Sequence, residues 1–242
     1  MKQKIYHLLF PKSFRESIYN YNIRQYEAQE FKRLKTIEDA YPRSELSQVY
    51  IANLRLVTDR NALLNLMPKG SIVAEVGVDR GDFSRRILAI TKPERLHLID
   101  TWANDRKQEN LKSTVENKYK AEIGSNRVIL HQGEPLVELE KFDKGYFDWV
   151  YIDTDPSYEN TIRELAVCQF KIKDGGIISG HKYATGDWLR KNRYGVIVAV
   201  HDFCKEHRWE IIYLTNESHR CLSYAIRKLN TEIADNKSTL NG

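Results

Sequence analysis

Cysteine is scarce in this sequence. The three that occur, Cys168, Cys204 and Cys221, are scattered over 242 residues. That spacing excludes a disulfide framework and a zinc-binding pattern, and it fits a reducing, cytoplasmic setting. No apolar run approaches the roughly 20 residues that span a bilayer, so no transmembrane helix is expected. The opening MKQKIYHLLFPKSF is basic and partly apolar. It lacks a long apolar core and a small-residue cleavage site, so it does not read as a signal peptide. Internal repeats and low-complexity segments are missing as well. What is present is enough for a packed core: 41% hydrophobic residues and four tryptophans, which argues against a disordered chain.

Net charge is missing from most of the chain. The total is +5, and residues 1–35 carry eight Lys or Arg against three Glu, leaving residues 36–242 with thirty of each sign. The basicity belongs to an N-terminal arm. Such an arm can touch an anionic membrane, a phosphorylated molecule or a nucleic acid, or it is a solvated helix on its own domain. The neutral remainder argues against a large nucleic-acid footprint.

Along the chain, residues 1–45 read as one or two helices punctuated by Pro11 and Pro42. Residues 45–66 carry apolar residues at helical spacing, ended by Pro68 and Gly70. From Ser71 short apolar runs alternate with helical stretches. The strands expected are SIVAEVG, RLHLID, RVILHQ, FDWVYID, GGIISG, WEIIYLT and CLSYAIR. Helices are expected over 83–90, 107–122, 158–170 and 195–207. Apolar strands between helices imply a parallel sheet covered on both faces. The last two strands are separated only by NESHR, so they pair as an antiparallel hairpin. The expectation is an α/β, doubly wound, seven-stranded, mainly parallel sheet with a C-terminal antiparallel hairpin and an N-terminal helical arm. The boundaries are a basic arm (1–45), the main domain (46–229) and a polar tail (230–242).

The chemistry starts at VAEVGVDRGDFS, residues 73–84. In a doubly wound sheet, ligands bind beyond the carboxyl ends of the strands. Gly77 and Gly81 let the chain turn and leave room for a ligand. The spacing is not G-x-G-x-x-G, the pyrophosphate fingerprint. Glu75 would oppose a pyrophosphate but suits a cationic group. The next strand ends in Asp100, an acid placed to accept ribose hydroxyls. A ligand with a cation, a ribose and no phosphate is S-adenosylmethionine.

The ordered set E-x-G-x-x-x-G-x-x-S, I-D-T-W, H-x-G-E, F-D-x-V-Y-I-D…S-Y-E and K-D-G-G-x-I-S-G-H resembles class I S-adenosylmethionine-dependent methyltransferases, which are Rossmann-like. More narrowly it resembles the small-molecule O-methyltransferase branch found in glycan and antibiotic-sugar biosynthesis. The resemblance covers about residues 48–227 and leaves the arm unexplained. It implies that Glu75, Gly77, Val78, Gly81 and Ser84 hold the amino-acid end of the cofactor. Asp100 would take the ribose, Thr101 and Trp102 would flank the adenosine, and Gly133 and Glu134 would border the adenine. Ser84 also reads as a helix cap and Trp102 as core packing.

Methyl transfer needs a nucleophile that is aligned and deprotonated. The candidates follow the fourth and fifth strands: Asp153, Asp155, Tyr158, His181, Lys182 and Tyr183. Of these, Asp153, His181, Lys182 and Tyr158 are the catalytic set expected here. In the branch resembled, this region reads I-D-G-D-H-S-Y-E and later G-H-D-Y, residues that can bind a divalent metal. Here Pro156 replaces the histidine and Lys182 the aspartate. An ammonium there opposes a dication, so no metal is expected. Lys182 would pair with Asp153 or Asp155, or stabilise an alkoxide, and His181 would be the general base. Tyr158 also reads as packing at a helix start. The basic stretch KYATGDWLRKNRYG, residues 182–195, reads either as a phosphate-recognising loop through Arg190 and Arg193 or as a solvated loop.

The expected partner is a small-molecule acceptor, a sugar or nucleotide-sugar hydroxyl. N-methylation of an amino sugar or base, and a cofactor-binding scaffold without turnover, are the alternatives. The arm is a candidate lid, homodimer contact or peripheral membrane anchor.

Overall fold

The structure is a computed structural model that describes residues 11–40, 43–103, 110–187, 189–218 and 221–230. The first ten residues and nearly all of the polar tail lie outside the described residues, as does the start of the helix expected over 107–122. Two compact units divide the chain, Met1–Pro42 and Arg43–Gly242.

In the first unit a single helix, α1 (Lys12–Ala40), runs for 29 residues. It opens after Pro11, whose carbonyl accepts the amides of Phe14 at 3.1 Å and Arg15 at 3.2 Å. A proline is tolerated there because its missing N–H would have no helical partner anyway. The apolar residues, Phe14, Ile18, Tyr19, Ile23 and Tyr26 among them, point round every side of the helix and form no stripe.

The second unit is an eight-stranded sheet in the order β1-β9-β10-β6-β5-β2-β3-β4. Its strands are β1 (Arg55–Val57), β2 (Ile72–Val76), β3 (Arg95–Asp100), β4 (Val128–Gln132), β5 (Phe147–Ile152), β6 (Ile172–Tyr183), β9 (Trp209–Thr215) and β10 (Leu222–Lys228). A separate two-residue hairpin joins β7 (Gly186–Asp187) to β8 (Asn192–Arg193). The ladders β6–β5, β5–β2, β2–β3 and β3–β4 are parallel, and β10 runs antiparallel to both neighbours. The winding direction reverses between β2 and β5, which sets a crevice at their carboxyl ends.

All seven expected strands form, and an eighth joins them. Residues 45–66 do not make one helix. A 3-10 turn (Gln48–Tyr50) leads into β1, which pairs in parallel with β9 from Arg55↔Tyr213 to Val57↔Thr215. The helix α2 (Arg60–Leu66) starts only where Asp59 caps it, accepting the Ala62 amide at 2.8 Å. Tertiary pairing decides this segment: β9 offers an edge ladder, and Asn53 Nδ2 donates to Glu210 Oε2 on it at 2.7 Å. Local apolar spacing cannot report such a partner.

The other helices are α3 (Asp82–Thr91), α4 (Leu111–Lys118), α5 (Lys120–Gly124), α6 (Pro135–Glu140), α7 (Tyr158–Lys171) and α8 (Val196–His207). Helix α3 buries Ser84, Ile87, Leu88 and Thr91, one face at helical spacing. The central strands β2, β3 and β5 supply both cores by alternation. Val73, Leu96, Leu98, Trp149 and Tyr151 pack on the side of α2 to α4. Ala74, Val76, Ile99, Val150 and Ile152 pack on the side of α7 and α8. Burying each large apolar side chain contributes about 1.5–3 kcal/mol, so the sheet centre is a stiff base for the loops beyond it.

Candidate active site

The loop after β2 is shaped by two glycines. Gly77 sits at φ +87°, and a Cβ there would lie 2.7 Å from the Asp153 carbonyl carbon. Gly81, at φ +71°, begins α3, and a Cβ there would lie 2.9 Å from Tyr119 Cε2. A side chain at either position would carry backbone strain and drive the loop off its neighbour. The Tyr119 hydroxyl donates to the Gly81 carbonyl, and Lys118 Nζ bonds the Arg80 carbonyl at 2.9 Å and Asp82 Oδ1 at 2.6 Å. Helix α4 thus holds the loop from outside.

Asp100, at the end of β3, holds it from inside. Its Oδ2 accepts the amides of Val78 at 2.7 Å and Asp79 at 2.9 Å, and its Oδ1 accepts the Trp102 amide at 2.8 Å. A carboxylate has about four lone-pair sites. Oδ2 is full and Oδ1 keeps one site open. Trp102 is buried, and its indole N–H donates to the Asp79 carbonyl at 3.2 Å, so it closes the same loop.

Glu75 lies beneath this loop at 1% exposure. Its Oε2 has no hydrogen-bond partner, and neither does the buried Ser84 Oγ. Burial raises the Glu75 carboxyl to about 8, and the carboxylates of Asp153 and Asp100 add to the rise. An unpaired buried carboxylate is costly. A cation placed at Oε2 would relieve it.

These groups border a cleft of about 680 Å³ at the carboxyl ends of β2, β3 and β5, within the range of ligand sites. Of the expected cofactor residues, Glu75, Gly77, Val78, Asp100, Thr101 and Glu134 line it. Gly81, Ser84, Trp102 and Gly133 do not; they sit behind the wall. The Gly133 amide bonds the Asp100 carbonyl at 3.1 Å, and a Cβ there would lie 3.0 Å from Glu138 Cδ.

The family described as methyltransferase domain matches residues 74–183. That segment holds β2 to β6 and the residues that line the cleft. Among solved structures, it is similar to an S-adenosylmethionine-dependent methyltransferase from Aquifex aeolicus, at 12% identity and TM-score 0.51, over 81% of this chain and 96% of that one. A candidate rRNA methylase from Clostridium thermocellum matches at 17% identity and TM-score 0.53, over 72% and 98%. The pyocyanin biosynthetic protein PhzM matches at 13% and TM-score 0.52 over 69% of this chain, which spans about half, 53%, of that protein's length. At such identities the likeness is one of fold alone. No curated protein sequence matches the chain.

Within the matched segment the expected catalytic residues separate. Asp153 and Lys182 line the cleft together, with Lys182 Nζ 3.0 Å from Asp153 Oδ1. The ammonium also bonds the Thr154 carbonyl, and Lys182 takes a left-handed backbone, φ 59°. His181, next to it on β6, does not line the cleft but a small recess beside it, which Asp153 and Lys182 also line. Its Nδ1 is buried without a partner, and burial lowers its pKa, with Asp153 opposing that effect. Tyr158 does not line the cleft: its hydroxyl bonds Asp202 on α8 at 3.2 Å. The basic loop is occupied by its own backbone and acids. Arg193 Nη1 bonds the Tyr194 carbonyl at 2.7 Å, and Arg190 Nε lies 3.8 Å from Asp187. Neither arginine lines the cleft. Among the described residues, no group of three or more His, Cys, Asp or Glu side chains could hold a metal ion.

The cleft contains residues the sequence reading missed: Phe83, Thr154, Asn160 and Glu164. Glu164 is 1% exposed. Its Oε2 accepts the Thr154 hydroxyl at 2.7 Å, and Asn160 Nδ2 bonds the same hydroxyl at 3.2 Å. Its Oε1 is buried with no partner. Burial raises this carboxyl to about 7, with Thr154 and Asn160 lowering it. A signal was available. Thr161, Glu164, Leu165 and Cys168 form the buried face of α7, at i, i+3, i+4 and i+7, so an acid occupies a core position.

Proposed function

We propose that this domain transfers a methyl group to a hydroxyl or amine of a small, sugar-like acceptor. The observation that carries the reading is the orphaned Glu75 Oε2, buried at the floor of a cleft that also presents Asp100 and Glu134. S-adenosylmethionine, when bound, supplies an electrophilic methyl on a sulfonium. The chain's residues fit it. Glu75 would meet a cationic group of its amino-acid end, the open site on Asp100 Oδ1 would accept one ribose hydroxyl, and Thr101 and Glu134 would border the base. The Asp100 carboxylate also fixes the amides of Val78 and Asp79, so it shapes the site as well as contacting the ligand.

On the other flank, Lys182 is anchored by Asp153 and the Thr154 carbonyl, so its charge is fixed at the cleft wall. A fixed charge there stabilises negative charge developing on an acceptor oxygen without reorganising. Asp155, exposed at the mouth, can pass a proton to solvent. His181 sits behind this wall, so the carboxylates are the nearer proton acceptors. Titration calorimetry with S-adenosylhomocysteine tests the reading. Micromolar binding by wild type that is lost in Glu75→Gln is expected. No binding by folded wild type would overturn it.

A further inference from the structure

The charge on the cleft wall identifies the acceptor's class. Among the described lining residues there are eight carboxylates, on Glu75, Asp79, Asp82, Asp100, Glu134, Asp153, Asp155 and Glu164, against two cations, Arg80 and Lys182. Two of the acids belong to pairs already made, Asp82 with Lys118 and Asp153 with Lys182. Glu75, Asp100 and Glu134 face the part of the cleft assigned above to the cofactor. That leaves Asp79, on the loop after β2, and Asp155 and Glu164 on the β5–α7 wall, the side left for the acceptor.

Acids grouped on a wall do not by themselves make a site. Glu164 adds a separate observation. It is a core-facing residue on α7 that also lines the cleft, its Oε2 accepts the Thr154 hydroxyl, and its Oε1 is buried with no hydrogen-bond partner. Folding has oriented one oxygen and left the other empty. An unpaired buried carboxylate costs stability, and a donor cation at Oε1 would supply the missing bond and offset the desolvation. A phosphate there would meet Glu164 and Asp155 with only Lys182 to balance them, and Lys182 is already held by Asp153.

We propose that the acceptor carries an ammonium group, held by Glu164 with Asp155, as in an amino sugar, and that phosphate-bearing acceptors such as nucleotide-sugars are rejected. This rests on the methyl-transfer reading. Glu164 is then a specificity-determining residue, whether the methyl goes to that nitrogen or to a neighbouring hydroxyl.

The test uses the full chain saturated with S-adenosylhomocysteine. Binding of glucosamine, N-acetylglucosamine, glucose and glucose 1-phosphate is measured by ligand-observed nuclear magnetic resonance. Each variant is first titrated with S-adenosylhomocysteine alone. Loss at that step means the cofactor reading has failed or the variant is misfolded, and it is seen before any acceptor is added. Glucosamine should bind at least about tenfold tighter than the three others, and Glu164→Gln and Asp155→Asn should each remove most of that advantage. Lys182→Met, which removes the only cation on this wall among the described residues, should strengthen glucosamine binding severalfold. Equal or tighter binding of glucose 1-phosphate overturns the proposal. So does an amine preference that survives both acid variants, weaker amine binding in Lys182→Met, or no glucosamine binding at millimolar concentration.

Discussion

The two flanks of the cleft are built differently. The β2–β3 flank comes from two short contiguous stretches, residues 75–84 and 100–102, and is locked by backbone: three amides on Asp100 and two left-handed glycines. The β5–β6 flank is assembled from residues far apart in sequence: Asp153, Thr154 and Glu164 with Lys182. It is locked by side chains. The first holds one geometry for one ligand. The second can change its chemistry by single substitutions without disturbing the sheet. Both flanks contain a buried acid with one oxygen unpaired, Glu75 and Glu164.

The largest effect should come where the flanks touch. Gly77→Ala forces a side chain into a positive-φ position and against the Asp153 carbonyl, and it should cost ~3 kcal/mol or more. Urea denaturation measures this. If the loss is small, the two flanks are not mechanically coupled. Next comes Glu75→Gln, which should weaken S-adenosylhomocysteine binding about 10- to 100-fold. The same variant has a pH signature. The Glu75 carboxyl is raised in the folded state to about 8 from the ordinary 4.5. The folded state therefore holds this proton more tightly. Its contribution to stability is complete below about pH 4.5 and is lost as pH rises through about 8. Over that window wild type should lose ~1.4 kcal/mol per pH unit relative to Glu75→Gln, read from denaturation midpoints. Ligand binding should run the other way in wild type, tightening toward pH 8 as the carboxylate forms.

Asp100→Asn should cost ~1–2 kcal/mol, because one amide oxygen replaces two acceptors for three N–H groups, and it should weaken the ligand as well. If stability is unchanged, the loop does not depend on this staple. The smallest effect is expected of Tyr158→Phe, which removes only the hydrogen bond to Asp202. A loss of ~1 kcal/mol or less is expected, with methyl transfer unaltered once an acceptor is in hand. A large loss of turnover would return Tyr158 to the acceptor wall.

Much of this was legible in the sequence. The alternation of apolar runs and helices carries the parallel sheet, and the short NESHR link carries the final hairpin, because both follow from local spacing and connection length. The glycine loop with Glu75 and Asp100 was legible because its residues lie at strand ends, where the fold class places ligands. The strand at Arg55–Val57 was not. Its apolar residues also fit a helix, and only the free edge of β9 selects a strand. The expected catalytic set was legible as a neighbourhood of two loops but not as a geometry. His181 and Lys182 are adjacent in sequence and share a small recess, yet only Lys182, at a left-handed φ, also lines the cleft, and the Tyr158 hydroxyl is drawn away by Asp202 on α8.

By itself, then, the sequence determined the fold class, the position of the cleft and the acids and glycines at the ends of β2 and β3, since each depends on residues within one turn or strand of one another. The tertiary structure alone decided which side chains line the other flank of the cleft. It set Glu164, a buried acid on the inner face of α7, against Thr154 with one oxygen unsatisfied, and that depends on how helix and sheet pack across the core.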